Sequence, residues 1–355
     1  MNGINKYIEV WKEIVKEKVP LLLVGQVGIG KTEIWKEIAE KEGKDIIITH
    51  LARSSNTDFL IPIIKGDSIT YATNEMFSKL EKGNCIWLLD EYDRADGMTR
   101  NAILSALNER IFDGKKLSDD TWIVLLANQE NSKDTNILNE AEITRCAVFN
   151  LNQVFELNNL GRDSDYFQYI TAIANNKNID RSIVSFLYAY PEYLFKKDAE
   201  TGEQFTTPRG WFNLSRLLPT IEKLGNKLQE QTIISGVIGT ESSEKFLVYH
   251  NLHQNMPTVE EILKMNKSKI EDMTSEKKII TLDLFYTHVK DEPKDLESVL
   301  SFTDKNFGRE WFYILIRMMI EDKKIKKALI ENMQKNTLFK NNINGIIQEI
   351  VDDLS

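Results

Sequence analysis

The sequence predicts an α/β fold built on a parallel sheet and followed by a mostly helical remainder, and three observations carry that prediction. Short apolar runs alternate with helical periodicity through residues 1–152, the pattern of a parallel sheet covered by helices on both faces. A glycine loop, Gly25-Gln26-Val27-Gly28-Ile29-Gly30-Lys31-Thr32, joins one such run to a helical stretch. A second run, Cys85-Ile86-Trp87-Leu88-Leu89, delivers two carboxylates, Asp90 and Glu91, at its C-terminal end, where ligands of open α/β sheets bind.

Strands are expected at residues 21–24, 46–49, 85–89, 122–127 and 147–151, each rich in Leu, Ile or Val and too short for a helix. Helices are expected between them at 31–41 and 99–108. In the first of these, Ile34, Trp35, Ile38 and Ala39 share one face while Lys36, Glu37 and Glu40 occupy the other. From about Asn152 the strand signal fades, and amphipathic stretches at 183–190, 211–218 and 310–320 mark a helical half. Pro208 suits a helix start, because its missing N–H would have been unpaired in the first turn anyway.

Of the 355 residues, 42% are apolar and 28% charged, which is ordinary globular usage. A formal net charge of −9 weakens any reading that needs a large electropositive face along a phosphate backbone. Cys85 and Cys146 lie in apolar runs and read as small core residues in strands, so neither a disulfide framework nor a zinc site is expected. The first residues scatter their charges instead of forming a signal peptide, and no stretch approaches the length of a membrane span. The expected location is the cytoplasm. His50, His250, His253 and His288 show no metal-ligand spacing and read as ordinary polar residues, and no serine or cysteine sits in a nucleophile elbow.

Residues 25–32 fit G-x-x-x-x-G-K-[ST] with an apolar strand before and an amphipathic helix after, the context that the motif requires. Glycines are needed because the loop, Gly25, Gln26, Val27, Gly28, Ile29 and Gly30, wraps its backbone N–H groups around a phosphate that side chains would block. Lys31 is placed to reach the β- and γ-phosphates of ATP, and the Thr32 hydroxyl to bind Mg²⁺ where the helix turns its positive end to the anion. Asp90 is assigned to the Mg²⁺ as well, and Glu91 to polarising the attacking water as general base. Asn128, at the end of the run Trp122-Ile-Val-Leu-Leu-Ala, is able to donate to a γ-phosphate oxygen and hold the water beside Glu91; taken alone, an Asn after a strand is usually a turn former, so this assignment rests on strand order and on the resemblance given next.

With these motifs in place, the chain resembles the MoxR branch of the AAA+ superfamily. The resemblance runs through Leu89-Asp-Glu-Tyr-Asp-Arg94-Ala and then Asn101-Ala-Ile-Leu-Ser-Ala-Leu-Asn-Glu109-Arg110, where family members carry an arginine-containing turn and a helix ending in Glu-Arg. Asp93 is acceptable in that turn, while the prolines that often follow it are absent. The stretch Leu138-Asn-Glu-Ala-Glu-Ile-Thr-Arg145 is similar to the segment leading to the family's arginine finger, with Cys146 replacing the usual aromatic, and Thr207-Pro208-Arg209-Gly-Trp211 is similar to its sensor 2 segment. The match covers roughly residues 20–218.

The resemblance implies an AAA+ P-loop core with a parallel five-stranded sheet over residues 1–152, an α-helical lid with sensor 2 over 153–238, and a mostly helical C-terminal extension over 239–355. It implies that Asn128 is sensor 1, and that Arg145 projects onto a neighbouring subunit's γ-phosphate, so that activity needs a homo-oligomer, a hexamer in this family. Arg209 is expected to approach the nucleotide from the lid, in cis or in trans. Residues 49–83 lie where the clade carries an insert, whose apolar part Phe59-Leu-Ile-Pro-Ile-Ile serves either client contact or packing. The leading expectation is an ATP-hydrolysing remodeller acting on a partner, in this family often a von Willebrand factor A domain protein. The competing readings are a nucleic-acid motor, disfavoured by the acidic balance and the lack of a basic arm, and a binding switch without turnover, disfavoured by Glu91.

Overall fold

The computed structural model describes residues 3–52, 61–65, 68–72, 75–112, 115–128, 140–197, 204–320, 322, 325–327 and 329. The chain divides into two compact units, one over Gly3–Asn158 and one from Asn159 onward.

The first unit opens with α1 (Gly3–Lys16), which buries Ile4, Trp11 and Val15 at helical spacing, and continues into β1 (Leu21–Gly25), α2 (Lys31–Glu42) and β2 (Asp45–His50). An antiparallel hairpin, β3 (Ile61–Lys65) and β4 (Ser68–Ala72), and then α3 (Glu75–Lys82) fill the region of the expected insert. The apolar run of that insert is a strand from Ile61 onward, and Phe59 and Leu60 lie outside the described residues. There follow β5 (Cys85–Asp90), a single 3-10 turn (Tyr92–Arg94), α4 (Gly97–Glu109), the short pair β6 (Ile111–Phe112) and β7 (Lys115–Lys116), β8 (Thr121–Asn128), α5 (Glu140–Ile143), β9 (Ala147–Asn150) and α6 (Leu151–Val154).

Five strands form one sheet in the order β2-β5-β8-β1-β9, every neighbouring pair parallel. The register explains where a site can form. Gly25 pairs with Asn128, and His50 with Asp90, so the last residues of four strands share the C-terminal edge of the sheet. Beneath that edge the sheet is apolar throughout: Leu21, Leu22 and Leu23, Ile86 to Leu89, and Val124 to Leu126 are fully buried, as near-continuous hydrophobic runs are in a sheet covered on both faces. Stacked Phe77 and Phe112, with Trp87 edge-on to Phe112, fill one side of this core.

Two sequence expectations need correction. The strand expected to reach residue 151 stops at Asn150, because the Asn150 side chain accepts a hydrogen bond from the Asn152 backbone N–H at 3.0 Å and caps α6 instead. Cys146 is not a strand core residue: it lies in the turn before β9 and is only partly buried, whereas Cys85 is buried in β5.

The second unit is helical, and its described strand-like feature is an isolated bridge between Lys196 and Thr206. It contains α7 (Asp165–Asn176), α8 (Arg181–Ala189), α9 (Pro208–Ile221), α10 (Lys227–Ile238), α11 (Thr240–Gln254), α12 (Val259–Leu263), α13 (Lys267–Glu271), α14 (Ser275–Asp291), α15 (Leu296–Asn306) and α16 (Arg309–Ile320). Phe186 of α8 is the hub of an aromatic core, with Tyr193, Trp211, Phe246 and Tyr249 around it at 5.3 to 5.6 Å between ring centroids. Helix α9 starts at Pro208, and Thr207 caps it by accepting from the Gly210 N–H at 3.1 Å. His250 is buried between Ser182 Oγ at 2.7 Å and Glu222 Oε1 at 3.0 Å, so it is part of the packing of three helical segments. Among the described residues no helix is long and apolar enough to cross a membrane.

Candidate nucleotide-binding site

The loop between β1 and α2 has the backbone that its glycines permit. Gly28 and Gly30 adopt φ of 79° and 91°, left-handed values that a side chain disfavours. Gly25 is constrained by space instead: a Cβ there would lie 2.9 Å from both Ile29 Cδ1 and Leu151 Cβ. Ile29 is fully buried and anchors the middle of the loop, while the Gln26 N–H donates to Asn152 Oδ1 at 3.0 Å. Helix α2 begins at Lys31 with Gly30 at its N-cap and no capping side chain. Its positive end therefore faces the loop, an arrangement suited to an anion.

Lys31 is 8% exposed, and its Nζ donates to the carbonyls of Gly25 at 2.8 Å and Gln26 at 2.9 Å and to Asn128 Oδ1 at 2.9 Å. Two residues assigned from separate motifs are thus in contact at the sheet edge. The same holds for the two metal-ligand candidates, since Thr32 Oγ1 donates to Asp90 Oδ2 at 3.0 Å. The other Asp90 oxygen accepts from the Glu91 N–H at 2.9 Å, which fixes the carboxylate plane.

Glu91 has φ 57° and ψ 40°, a left-handed conformation uncommon for a residue with a long side chain. That twist turns the chain sharply after β5 and leaves the Glu91 side chain about one-third exposed, with Arg94 Nη1 4.0 Å from its carboxylate. His50 Nδ1 lies 3.8 Å from Asp90 Oδ2, beyond hydrogen-bond reach.

Asp93, Tyr92, Arg100 and Glu142 complete the surroundings. Asp93 is 2% exposed, and its Oδ1 accepts the Asn128 N–H at 2.8 Å, binding the turn after β5 to the end of β8. Arg100 of α4 and Glu142 of α5 form a buried ion pair at 3.3 Å, to which the Tyr92 hydroxyl donates at 3.3 Å. Burial, reinforced by Glu142, pushes the Tyr92 phenol well above its ordinary range. These partners lie 35 to 50 positions apart, too far for any periodicity to reveal. By contrast, Arg110 closes α4 in a left-handed conformation and donates to the carbonyls of Ser118 and Thr121, so the Glu-Arg ending of that helix secures the start of β8.

Arg145 follows α5, partly buried, and its guanidinium donates to the Ala141 carbonyl. The first two residues of the segment leading to it, Leu138 and Asn139, lie outside the described residues. Arg209 belongs to the second unit. It is exposed in the first turn of α9 and lines a groove of about 330 Å³ with Gln204, Asn213 and Arg216.

The residues present fit a magnesium nucleotide. The positive end of α2, the left-handed glycines and the Lys31 ammonium suit phosphate. The oxygens of Thr32 and Asp90 are the hard donors that Mg²⁺ prefers. Among the described residues no group of three or more His, Cys, Asp or Glu is placed to hold a metal ion.

Residues 20–163 match the AAA domain family, dynein-related subfamily. That stretch is similar to AAA domains. The family is one of nucleotide-hydrolysing P-loop ATPases, and the five-stranded parallel sheet described above has the AAA+ fold. No curated protein matches the sequence. Among solved structures, the chain is similar to the Holliday junction branch migration motor RuvB of Thermotoga maritima, with 13% identity over 83% of this chain and 76% of that one and a TM-score of 0.37. It is also similar to a candidate ATPase from Cytophaga hutchinsonii, with 15% identity over 67% of this chain and 82% of that one and a TM-score of 0.33. The matched residues include the glycine loop, Asp90, Glu91, Asn128 and Arg145, while Arg209 lies beyond them.

Proposed function

We propose that this chain is a Mg²⁺-dependent ATPase of the MoxR-like kind, assembled as a ring, that remodels a partner protein in the cytoplasm.

The observation that carries the reading is the paired contact at the sheet edge, Lys31 with Asn128 and Thr32 with Asp90, at 2.9 and 3.0 Å. Residues drawn from three motifs converge on one point. Mg²⁺ held there would neutralise phosphate charge. The loop N–H groups and Lys31 bind and orient the phosphates, Thr32 and Asp90 hold the ion, and Asn128 keeps the attacking water in line. Glu91, adjacent to Asp90 and partly open to solvent, accepts the proton of that water. Arg145 serves the γ-phosphate of the next subunit, and Arg209 reports phosphate state to a helical lid spanning residues 153–238. A von Willebrand factor A domain protein is the first choice of partner.

The test is steady-state ATPase activity of the wild type and Glu91→Gln, with mass by light scattering in the presence and absence of ATP and Mg²⁺. The expected result is ring-sized assembly by both proteins, turnover by the wild type alone, and no stimulation by single-stranded or duplex DNA. Full turnover by Glu91→Gln removes the general-base assignment, and strong DNA stimulation replaces the remodeller with a nucleic-acid motor.

A further inference from the structure

Helix α5 has only four residues, too few to persist on its own. Glu140, Ile143 and Thr144 are exposed, and the residue that holds the segment to the domain is Glu142, at 1% exposure. Both Glu142 oxygens face Arg100 Nη1 at 3.3 Å, and the Tyr92 hydroxyl donates to one of them. Three residues later the chain is fixed again, where the Arg145 N–H donates to the Glu142 carbonyl at 3.3 Å and the Ala147 N–H to the Pro20 carbonyl at 2.9 Å. Arg145 therefore sits between two anchors, one made by a side-chain ion pair and the other by the entry to the sheet.

The first anchor also reaches the nucleotide side. Arg100 Nη2 donates to the Asp93 carbonyl at 3.2 Å, the Arg100 guanidinium lies over the Tyr92 ring at 5.4 Å, and Asp93 holds the Asn128 N–H. Tyr92 and Asp93 directly follow Asp90 and Glu91, so one buried network touches the turn after β5, the end of β8 and the segment bearing Arg145. A buried ion pair is weak evidence for a stabilising role, because apolar residues of similar volume often do as well. Fixed geometry is what an ion pair adds, since its partners must meet at one distance and angle.

We infer that the Arg100–Glu142 pair, with Tyr92, is the positioning device for Arg145, coupling the presentation of that arginine to the turn that carries Glu91 in the same subunit. The inference rests on the reading of Arg145 as a cation that acts on a neighbouring subunit's nucleotide. Movement of the Asp90–Arg94 turn on phosphate binding is then passed through Arg100 to Glu142, and so to the arginine offered to the next subunit.

The experiment uses the full-length double variant Arg100→Met/Glu142→Leu, which removes both charges together and leaves neither buried alone. The expected result is a KM for ATP close to wild type and a kcat lower by about tenfold or more. Mixing with Lys31→Ala subunits, which keep their arginine but not their phosphate site, restores turnover to the degree seen when Arg145→Ala is mixed in the same way. Unchanged kcat overturns the inference, as does a loss that mixing does not restore while that of Arg145→Ala is restored. Full turnover by Arg145→Ala alone overturns the parent reading and this one together, an outcome distinct from the other two. Should the double variant fail to fold, Tyr92→Phe removes only the hydroxyl and is expected to lower kcat by about fivefold at unchanged KM; unchanged kcat there overturns the inference equally.

Discussion

Lys31 Nζ donates to Asn128 Oδ1 at 2.9 Å, which joins the first turn of α2 to the last residue of β8 across the sheet edge. A phosphate oxygen arriving at Lys31 has to compete with that amide oxygen, so the charge on residue 128 sets how readily the ammonium is released to a nucleotide.

Asn128→Asp should therefore bind ATP at least about tenfold more weakly than Asn128→Ala, because a carboxylate there pairs with Lys31 and repels phosphate. Asn128→Ala should keep binding within a few-fold and lose turnover. Titration calorimetry with ATP on both variants decides it, and equal affinities would show that Lys31 does not choose between residue 128 and phosphate.

Gly25→Ala places a methyl 2.9 Å from Ile29 and Leu151, neither of which has room to retreat in a buried contact. Overpacking of this kind costs about 1–3 kcal/mol. The variant should unfold at a lower urea concentration with an unchanged m-value, and its ATP affinity should fall because Ile29 anchors the loop.

Asp283 of α14 is buried against Arg181 of α8. Burial opposes its ionisation, but Arg181 and His253 outweigh that, and the carboxyl is held below its ordinary 3.8. A depressed carboxyl contributes stability that is fully present above the unfolded value and lost as pH falls through the folded one. The second unit should therefore resist acid down to about pH 4 and lose stability steeply below it. Asp283→Asn leaves Arg181 without its counter-charge and should cost about 3 kcal/mol at neutral pH, while flattening the acid limb of a stability–pH profile measured by urea denaturation. An unchanged acid limb would assign that limb to other carboxyls.

Burial, with Glu142 adding to it, pushes the Cys146 thiol up to about 12, and burial also raises Cys85. At pH 8 the Cys146 thiolate fraction is then roughly 10⁻⁴, so iodoacetamide should label neither thiol of the native protein at a rate approaching that in urea. Fast labelling of Cys146 in native conditions would mean that the segment from α5 to β9 opens readily.

Most of the sheet is legible in the residues themselves, because strands buried on both faces are written as unbroken apolar runs and the glycine loop marks the strand before it. What escapes is whatever depends on a partner far along the chain. The tail of the run at 147–151 reads as strand until the Asn150 side chain is seen to cap α6. Asn152, which takes the Gln26 N–H, and Asp93, which takes that of Asn128, are polar residues of common type whose value comes from contacts 126 and 35 positions away. Helix α1 is different: Ile4, Trp11 and Val15 carry a readable spacing, and its burial is a local signal. For the site, the glycine loop and the carboxylate-ended strand point to Lys31, Thr32 and Asp90, while Asn128 rests on strand order and the family resemblance, and the register of β1, β5 and β8 brings Gly25, Asp90 and Asn128 to one edge.

The left-handed backbone of Glu91 has a consequence for descent. A residue with a Cβ held there carries about 1 kcal/mol that glycine or asparagine would largely shed. In any lineage that stopped needing turnover, drift at position 91 would run thermodynamically downhill, toward a more heat-tolerant and inert protein. On the proposed role as general base, turnover alone would hold the glutamate there against the preference of its own backbone.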